Sequence, residues 1–112
     1  MKPLHVDQLP NFVKRFGNFI DGELRSIEII SPTQITLNLA CQDIARGYDW
    51  LSLEFEFKDI SEASLIDNDK LLHVDMSNGI TLTNKENLFT FKINNATLKI
   101  VASEIKYQEK PF

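Results

Sequence analysis

The sequence FTFKINNATLKI, residues 89–100, contains two strands and the turn between them. Apolar and polar residues alternate on both sides of Asn94 and Asn95. Because Asn tolerates a positive φ, these two residues can form the two-residue type I′ turn of a β-hairpin. The opposite face carries Thr and Lys residues and is therefore predicted to be solvated. With this loop the apolar residues share one face, in the cross-strand pairs Ile93–Ala96, Phe91–Leu98 and Phe89–Ile100.

Other segments also show the two-residue period of a strand. Residues 23–30 and 35–41 are predicted strands on either side of Pro32, and Ile35, Leu37, Leu39 and Cys41 share one face. Residues 50–58 form the clearest one, because four apolar residues alternate with polar ones there. A second hairpin is predicted from Leu72 onward, where Val74 and Met76 share a face. A loop of residues 77–79 would end with Gly at the left-handed position and pair Met76 with Ile80.

A helix is predicted near the N-terminus, over about residues 8–21. Asp7 can cap its start, Pro10 is tolerated in the first turn, and Gly22 provides a stop. Gly17 costs about 1 kcal/mol relative to Ala, so packing of the apolar stripe must hold the helix together. That stripe consists of Leu9, Phe12, Val13, Phe16, Phe19 and Ile20.

The whole pattern predicts a single α+β domain, residues 1–112, that is mainly β. A chain of 112 residues is long enough for one core. We expect an antiparallel sheet of about seven strands over residues 23–107. The tail, residues 108–112, is expected to be frayed. Short strands joined by tight turns favour a curved antiparallel meander or a partly open barrel, with the amphipathic helix packed on it.

The composition argues against nucleic acid and membranes as partners. The chain has 16 acidic and 12 basic side chains, a net charge of −4, and the basic residues are scattered. No segment approaches the roughly 18 continuous apolar residues of a membrane span. Residues 1–10 lack the apolar stretch of a signal peptide. Because the single cysteine, Cys41, cannot form an internal disulfide, we expect a cytoplasmic location.

The search for catalytic or metal-binding motifs finds none. His5 and His73 have no partner at metal-ligand spacing. Residues 67–69 begin like a calcium loop, but Leu71 stands where the third oxygen ligand belongs. Cys41 continues an inward-facing apolar series, which predicts a small buried hydrophobic side chain. We therefore expect no enzyme activity, no cofactor and no bound metal.

The connection over residues 42–50 gives the strongest indication of a binding surface. It contains Arg, Tyr and Trp, the residue types that dominate interface hot spots. If Leu51 faces the core, alternation turns Trp50 outward, where its apolar area implies a partner. In the alternative interpretation, Trp50 folds over the end of the sheet as a lid. The candidate partner-binding residues are Asp43, Arg46, Tyr48, Asp49 and Trp50.

An N-terminal helix precedes a meander that contains the pattern Trp-Leu-x-Leu-x-Phe, residues 50–55. In this the chain resembles small uncharacterised bacterial helix-plus-β-meander proteins, including some immunity proteins of toxin systems. The resemblance covers residues 12–105 as a pattern, and it assigns no role to any residue. The absent catalytic motifs, the acidic surface and the loop of residues 48–50 favour, as the leading hypothesis, a non-enzymatic protein-binding domain, an immunity-type inhibitor of a partner protein.

The alternative hypothesis is a ligand-binding cup. A curved sheet can hold a small apolar molecule unless the Phe residues of the helix fill the space. An exposed edge strand would also allow a homodimer. The rings that would line the cup are Phe55, Phe57, Phe89 and Phe91.

Overall fold

A computed structural model describes residues 1–112 and confirms an α+β fold that is mainly β. The sheet has seven strands: β1 (Lys2–Pro3), β2 (Glu23–Ser31), β3 (Gln34–Asp43), β4 (Asp49–Ser64), β5 (Thr81–Lys85), β6 (Leu88–Ile93) and β7 (Ala96–Pro111). The α-helices are α1 (Leu9–Arg15) and α2 (Asn68–Leu71). Short 3₁₀ helices cover Val6–Gln8, Gly17–Phe19 and Ile44–Arg46. None of the helices has the length and apolar character needed to cross a membrane.

The seven strands form one open antiparallel sheet. Its order is β2-β3-β4-β7-β6-β5, and β1 also pairs with β7. Two meanders, β2-β3-β4 and β5-β6-β7, meet through β4 and β7, which contain 16 residues each. Since β2 and β5 are the two edges of the sheet, the strands do not close into a barrel.

The core lies between one face of the sheet and α1. A cluster of 25 buried hydrophobic residues fills it. The ring of Phe12 on α1 lies 5.9 Å from that of Phe55 on β4 and 4.7 Å from that of Tyr107 on β7, measured between centroids. Side chains of the helix thus fill the space that the ligand-cup hypothesis requires. The four rings named for that cup are at most 2% exposed: Phe55, Phe57, Phe89 and Phe91.

The helix predicted over residues 8–21 is shorter in the structure. It ends at Arg15, because the three residues Gly17, Asn18 and Phe19 have positive φ values of 64°, 55° and 54°, respectively. Such backbone angles are incompatible with a continuing right-handed helix. Phe16 and Phe19 are nevertheless buried, at 1% and 0% exposure. The apolar periodicity therefore identified core residues correctly and overestimated the length of the helix.

The hairpin of residues 89–100 has the predicted register. Ile93 pairs with Ala96, and the other two predicted pairs also form. The predicted type I′ turn is wrong, because only Asn94 has a positive φ, of 54°, whereas Asn95 does not. A type I′ turn requires a positive φ at both central residues.

The second predicted hairpin does not form. Residues 72–76 contain no strand, and β5 begins only after this segment. Gly79 has the expected positive φ of 72°, but its role is a close approach between two backbone segments. A Cβ atom on Gly79 would lie 2.1 Å from the carbonyl oxygen of Ile20. At the same point the N–H of Ile80 donates a hydrogen bond of 2.9 Å to the carbonyl oxygen of Phe19.

Both ends of the chain extend the sheet beyond the predicted residues 23–107. The tail of residues 108–112, which was expected to be frayed, continues β7 as far as Pro111 and pairs there with Leu51 of β4. At the other end, β1 pairs with Lys106 and Tyr107 of β7. The tail is paired rather than frayed because the first residues of the long strand β4 need a neighbour for their backbone groups.

Candidate binding surface around Trp50

The connection between β3 and β4 is held in a defined conformation by its own backbone. Asp43 ends β3, a 3₁₀ turn follows over Ile44–Arg46, and Gly47 and Tyr48 both have a φ of 65°. The N–H of Tyr48 donates to the carbonyl oxygen of Asp43 at 2.9 Å, and Gln42 Nε2 donates to that of Tyr48 at 3.3 Å. These bonds stabilise the positive φ, which is uncommon outside Gly. The backbone of Tyr48 is consequently held in place at both its N–H and its carbonyl oxygen.

Asp43 is buried, which contradicts its prediction as a partner-binding residue. Its exposure is 0%. Its Oδ1 accepts hydrogen bonds from the Ala45 N–H at 3.0 Å and from Arg15 Nε at 3.3 Å, and its Oδ2 accepts one from Arg15 Nη2 at 2.8 Å. The Arg15 hydrogen bond is the main cause that lowers the pKa of Asp43, and it likewise raises the pKa of Arg15. Asp43 therefore supports the connection from inside the protein.

Arg15 and Glu109 complete an ionic cluster that the sequence analysis missed. Arg15 is the last residue of α1, and its Nη2 lies 2.6 Å from Glu109 Oε1 on β7. Arg46 approaches the same two carboxylates, with its Nε 3.6 Å from Asp43 Oδ2 and its Nη2 3.9 Å from Glu109 Oε2. The cluster joins the helix to β3 and β7. One signal was available, because alternation from Ile105 places Glu109 on the inner face of the sheet.

The other four candidate residues lie on the surface. Tyr48 is 59% exposed and Trp50 is 40% exposed. Asp49 is also exposed, and the side chain of Arg46 is 64% exposed although it reaches back to the ionic cluster. Trp50 is not part of the core, since Leu51 next to it faces inward and Trp50 faces the other side of the sheet.

Phe112 belongs to the same surface and was missed because the tail was expected to be frayed. Its ring centroid lies 5.7 Å from that of Trp50, and the guanidinium carbon of Arg25 lies 5.8 Å from the Phe112 centroid. Phe112 is 67% exposed. Because β7 is paired up to Pro111, the ring has a defined position. We call this set the Trp50 surface, and it comprises Arg46, Tyr48, Asp49, Trp50 and Phe112.

A groove beside Tyr48 adds apolar area next to the Trp50 surface. It has a volume of about 270 Å³ and lies between the 3₁₀ turn of Gly17–Phe19 and the β3–β4 connection. Ile20 and Ile44 line it and are 64% and 42% exposed. Exposed aliphatic side chains beside an exposed aromatic ring form the kind of patch that marks interaction sites.

Cys41 lies close to the ionic cluster on the inner face of β3. Burial, followed by the negative charge of Asp43, raises the pKa of Cys41 to about 12. The thiol is therefore protonated at neutral pH and is a weak nucleophile. His5 and His73 are exposed at the surface. No group of three or more His, Cys, Asp or Glu side chains is arranged to hold a metal ion.

The arrangement as a whole groups exposed aromatic and aliphatic side chains around the β3–β4 connection. The ionic cluster supports the backbone of this connection through the buried Asp43 carboxylate, which accepts hydrogen bonds from Arg15 and from the Ala45 N–H. Comparisons with protein families, with curated proteins and with solved structures find no match to this chain.

Proposed function

We propose that the protein is a non-enzymatic domain that binds another protein through the Trp50 surface, and that it acts as an immunity-type inhibitor of that partner. The observation that carries the proposal is the exposed pair of rings Trp50 and Phe112, at 40% and 67% exposure. Large aromatic side chains grouped at a surface are typical of the energetic centre of an interface.

The rigidity of the connection supports the proposal. Tyr48 is fixed by backbone hydrogen bonds, and Asp43 below it is fixed by Arg15. Side chains that are ordered before binding lose little conformational entropy on binding. Tyr and Trp add large contact area with few rotatable bonds.

Charge indicates the chemistry of the partner. The chain carries a net charge of −4, and Asp49 is exposed within the Trp50 surface. Association is faster when the facing patches have opposite charge. We therefore propose a partner whose contacting patch is basic, and an association rate that falls as salt is added.

Photocross-linking tests the proposal directly. The photoreactive residue p-benzoylphenylalanine replaces Tyr48 in cells that produce the protein, and in a control it replaces Ile29, which is exposed and pairs with Ile35 at the end of β3 remote from Asp43. We expect one defined protein to cross-link at position 48 and not at position 29. Cross-linking of the same species at both positions, or of none at position 48, would refute the proposal.

Affinity and inhibition are then measured with the cross-linked protein after purification. Trp50→Ala should weaken binding by about 2 kcal/mol or more, while thermal melting of the isolated variant changes little. Ile29→Ala is the control, because Ile29 is 68% exposed on the edge strand β2. Wild type and the control should suppress the activity of the partner and Trp50→Ala should not. Equal suppression by all three contradicts an inhibitor that acts through this surface.

A further inference from the structure

The edge strand β5 presents unpaired backbone groups. Lys85 and Leu88 are the pair that closes the two-residue turn to β6. Hydrogen-bonded and non-hydrogen-bonded pairs alternate along an antiparallel ladder. The N–H and C=O groups of Leu82 and Asn84 therefore point away from β6, and no strand lies on that side. The backbone hydrogen bonds outside the helices and strands do not involve these groups either.

The opposite edge of the sheet is capped at Ile27 by the chain itself. The Asn68 side chain on α2 occupies both backbone groups of Ile27 on β2. Its Oδ1 accepts from the Ile27 N–H at 3.0 Å, and its Nδ2 donates to the Ile27 carbonyl oxygen at 2.8 Å. The Asn68 side-chain amide thus makes the two hydrogen bonds that a neighbouring strand would make with Ile27. The corresponding groups of Leu82 and Asn84 on β5 have no such cap.

A groove runs beside the open edge, between β5 and the N-terminal helices. It has a volume of about 420 Å³. The side chain of Asn84 does not fill it, since its Nδ2 donates to the carbonyl oxygens of Glu86 and Leu88 in the turn. The wall opposite β5 is mainly apolar and consists of Val6, Leu9, Pro10, Val13, Lys14 and Asn18.

Lys14 gives this groove a charge preference. The side chain is exposed and takes part in none of the ion pairs of the protein. Lys14 is the one basic residue, and no acidic residue is present, among those that line the groove. An unpaired ammonium group above an apolar wall favours a ligand that brings its own carboxylate.

We propose that the groove binds an extended peptide segment of another protein, which adds to β5 as a further strand. Its backbone pairs with Leu82 and Asn84, alternate apolar side chains enter the groove, and an acidic side chain meets Lys14. This is the β-augmentation mode of peptide recognition. The β5 edge of a second copy, Thr81–Lys85, has no acidic side chain to meet Lys14, which favours an acidic peptide over a dimer of sheet edges. The site is distinct from the Trp50 surface and does not depend on the function proposed there.

Two substitutions at Asn84 separate backbone pairing from side-chain effects. Asn84→Pro and Asn84→Ala both remove the side-chain hydrogen bonds to the turn. Only the proline also removes the outward N–H, and it does so without breaking the ladder to β6. Thermal melting of both variants verifies that they are folded.

Selected peptides serve as the probe. Phage-displayed peptides of about ten residues are selected on the full-length protein, and the enriched sequences are resynthesised with a fluorophore. We expect alternating apolar residues and at least one carboxylate in these peptides. Fluorescence anisotropy should show similar affinity for wild type and Asn84→Ala, and affinity at least about tenfold lower for Asn84→Pro. Lys14→Gln should weaken binding several-fold at low salt and have a smaller effect at high salt.

The proposal is overturned by any of three results. The first is that no peptide is enriched. The second is equal binding by Asn84→Pro and Asn84→Ala, which would place the peptide elsewhere. The third is a concentration-dependent dimer that Asn84→Pro abolishes, because β5 would then pair with a second copy of the chain. Amide NMR shifts confined to β5 and α1 on peptide addition would support the assignment, and shifts confined to the Trp50 surface would contradict it.

Discussion

Gly79→Ala tests how closely two segments of the core approach each other. A Cβ at this position would lie 2.1 Å from the Ile20 carbonyl oxygen and 2.3 Å from that of Phe19, and both are backbone atoms that cannot rotate away. The φ of 72° is also unfavourable for Ala. Strain, the lost hydrogen bond from Ile80 to Phe19 and displaced packing together should lower the free energy of unfolding by about 3–6 kcal/mol. A domain of ordinary stability, about 5–15 kcal/mol, would be close to unfolding.

Gly47→Ala is the matched control for this substitution. Gly47 has nearly the same φ, 65°, but a Cβ there would meet no atom within 4 Å. Urea unfolding of the two variants, with the m-value checked, separates the backbone strain that they share from the collision that only one suffers. We expect Gly47→Ala to lose about 1–2 kcal/mol. If Gly79→Ala loses no more than that, the approach of the two segments is looser than the structure shows and the reasoning is refuted.

Three further predictions concern the core, a turn and the ionic cluster. Phe16→Ala should cost about 3–5 kcal/mol, because the ring is 1% exposed; a thermal shift of only a degree or two would contradict this. Asn94→Val should destabilise by about 1–2 kcal/mol more than Asn95→Val in urea unfolding, because only Asn94 has a positive φ. The pKa of Asp43 is lowered by Arg15. The ionised Asp43 carboxylate therefore makes its full contribution to the free energy of unfolding above the unfolded pKa of about 3.9. That contribution is lost as the pH falls toward the pKa of Asp43 in the folded protein. Urea unfolding at several pH values should show that Asp43→Asn removes this part of the acid dependence, and an unchanged pH profile would exclude it.

The hairpin of residues 89–100 could be predicted because everything that specifies it is local. The turn residues, the alternation and the paired side chains all lie within the same short stretch. Only the turn type was wrong, because it depends on the individual φ values of Asn94 and Asn95. Both residues tolerate positive φ, so residue type alone does not tell whether one or both of them adopt it.

The end of α1 and the segment before β5 could not be predicted because they depend on each other. Phe19 leaves the helix with a positive φ, and its carbonyl oxygen accepts the hydrogen bond from Ile80. Gly79 makes that contact possible. Sequence periodicity indicates which residues are apolar on one face, but it carries no information about a backbone contact between segments so far apart in the chain. The same periodicity therefore predicted a longer helix and a strand that does not form.

The candidate site shows the same division between local and distant information. Exposure of Tyr48 and Trp50 follows from a turn and an alternation, which are local, whereas the role of Asp43 depends on Arg15, 28 residues away. One local signal was present in the sequence. The alternation along β3 that turns Ile35, Leu37, Leu39 and Cys41 inward also turns Asp43 inward. A buried carboxylate at such a position requires a cation within reach, and Arg15 lies beside both Asp43 and Glu109 on β7.

This coupling connects the helix to the binding surface. Arg15 is not part of the Trp50 surface, yet it holds the carboxylate whose Oδ1 also accepts the hydrogen bond from the N–H of Ala45. Without the guanidinium, Asp43 and Glu109 would be two carboxylates with reduced compensation in a buried site, and Asp43 would be driven toward protonation or toward solvent. Either change loosens the connection that fixes Tyr48. If the proposed partner binds the Trp50 surface, its affinity therefore depends on Arg15 of α1, which is not part of that surface.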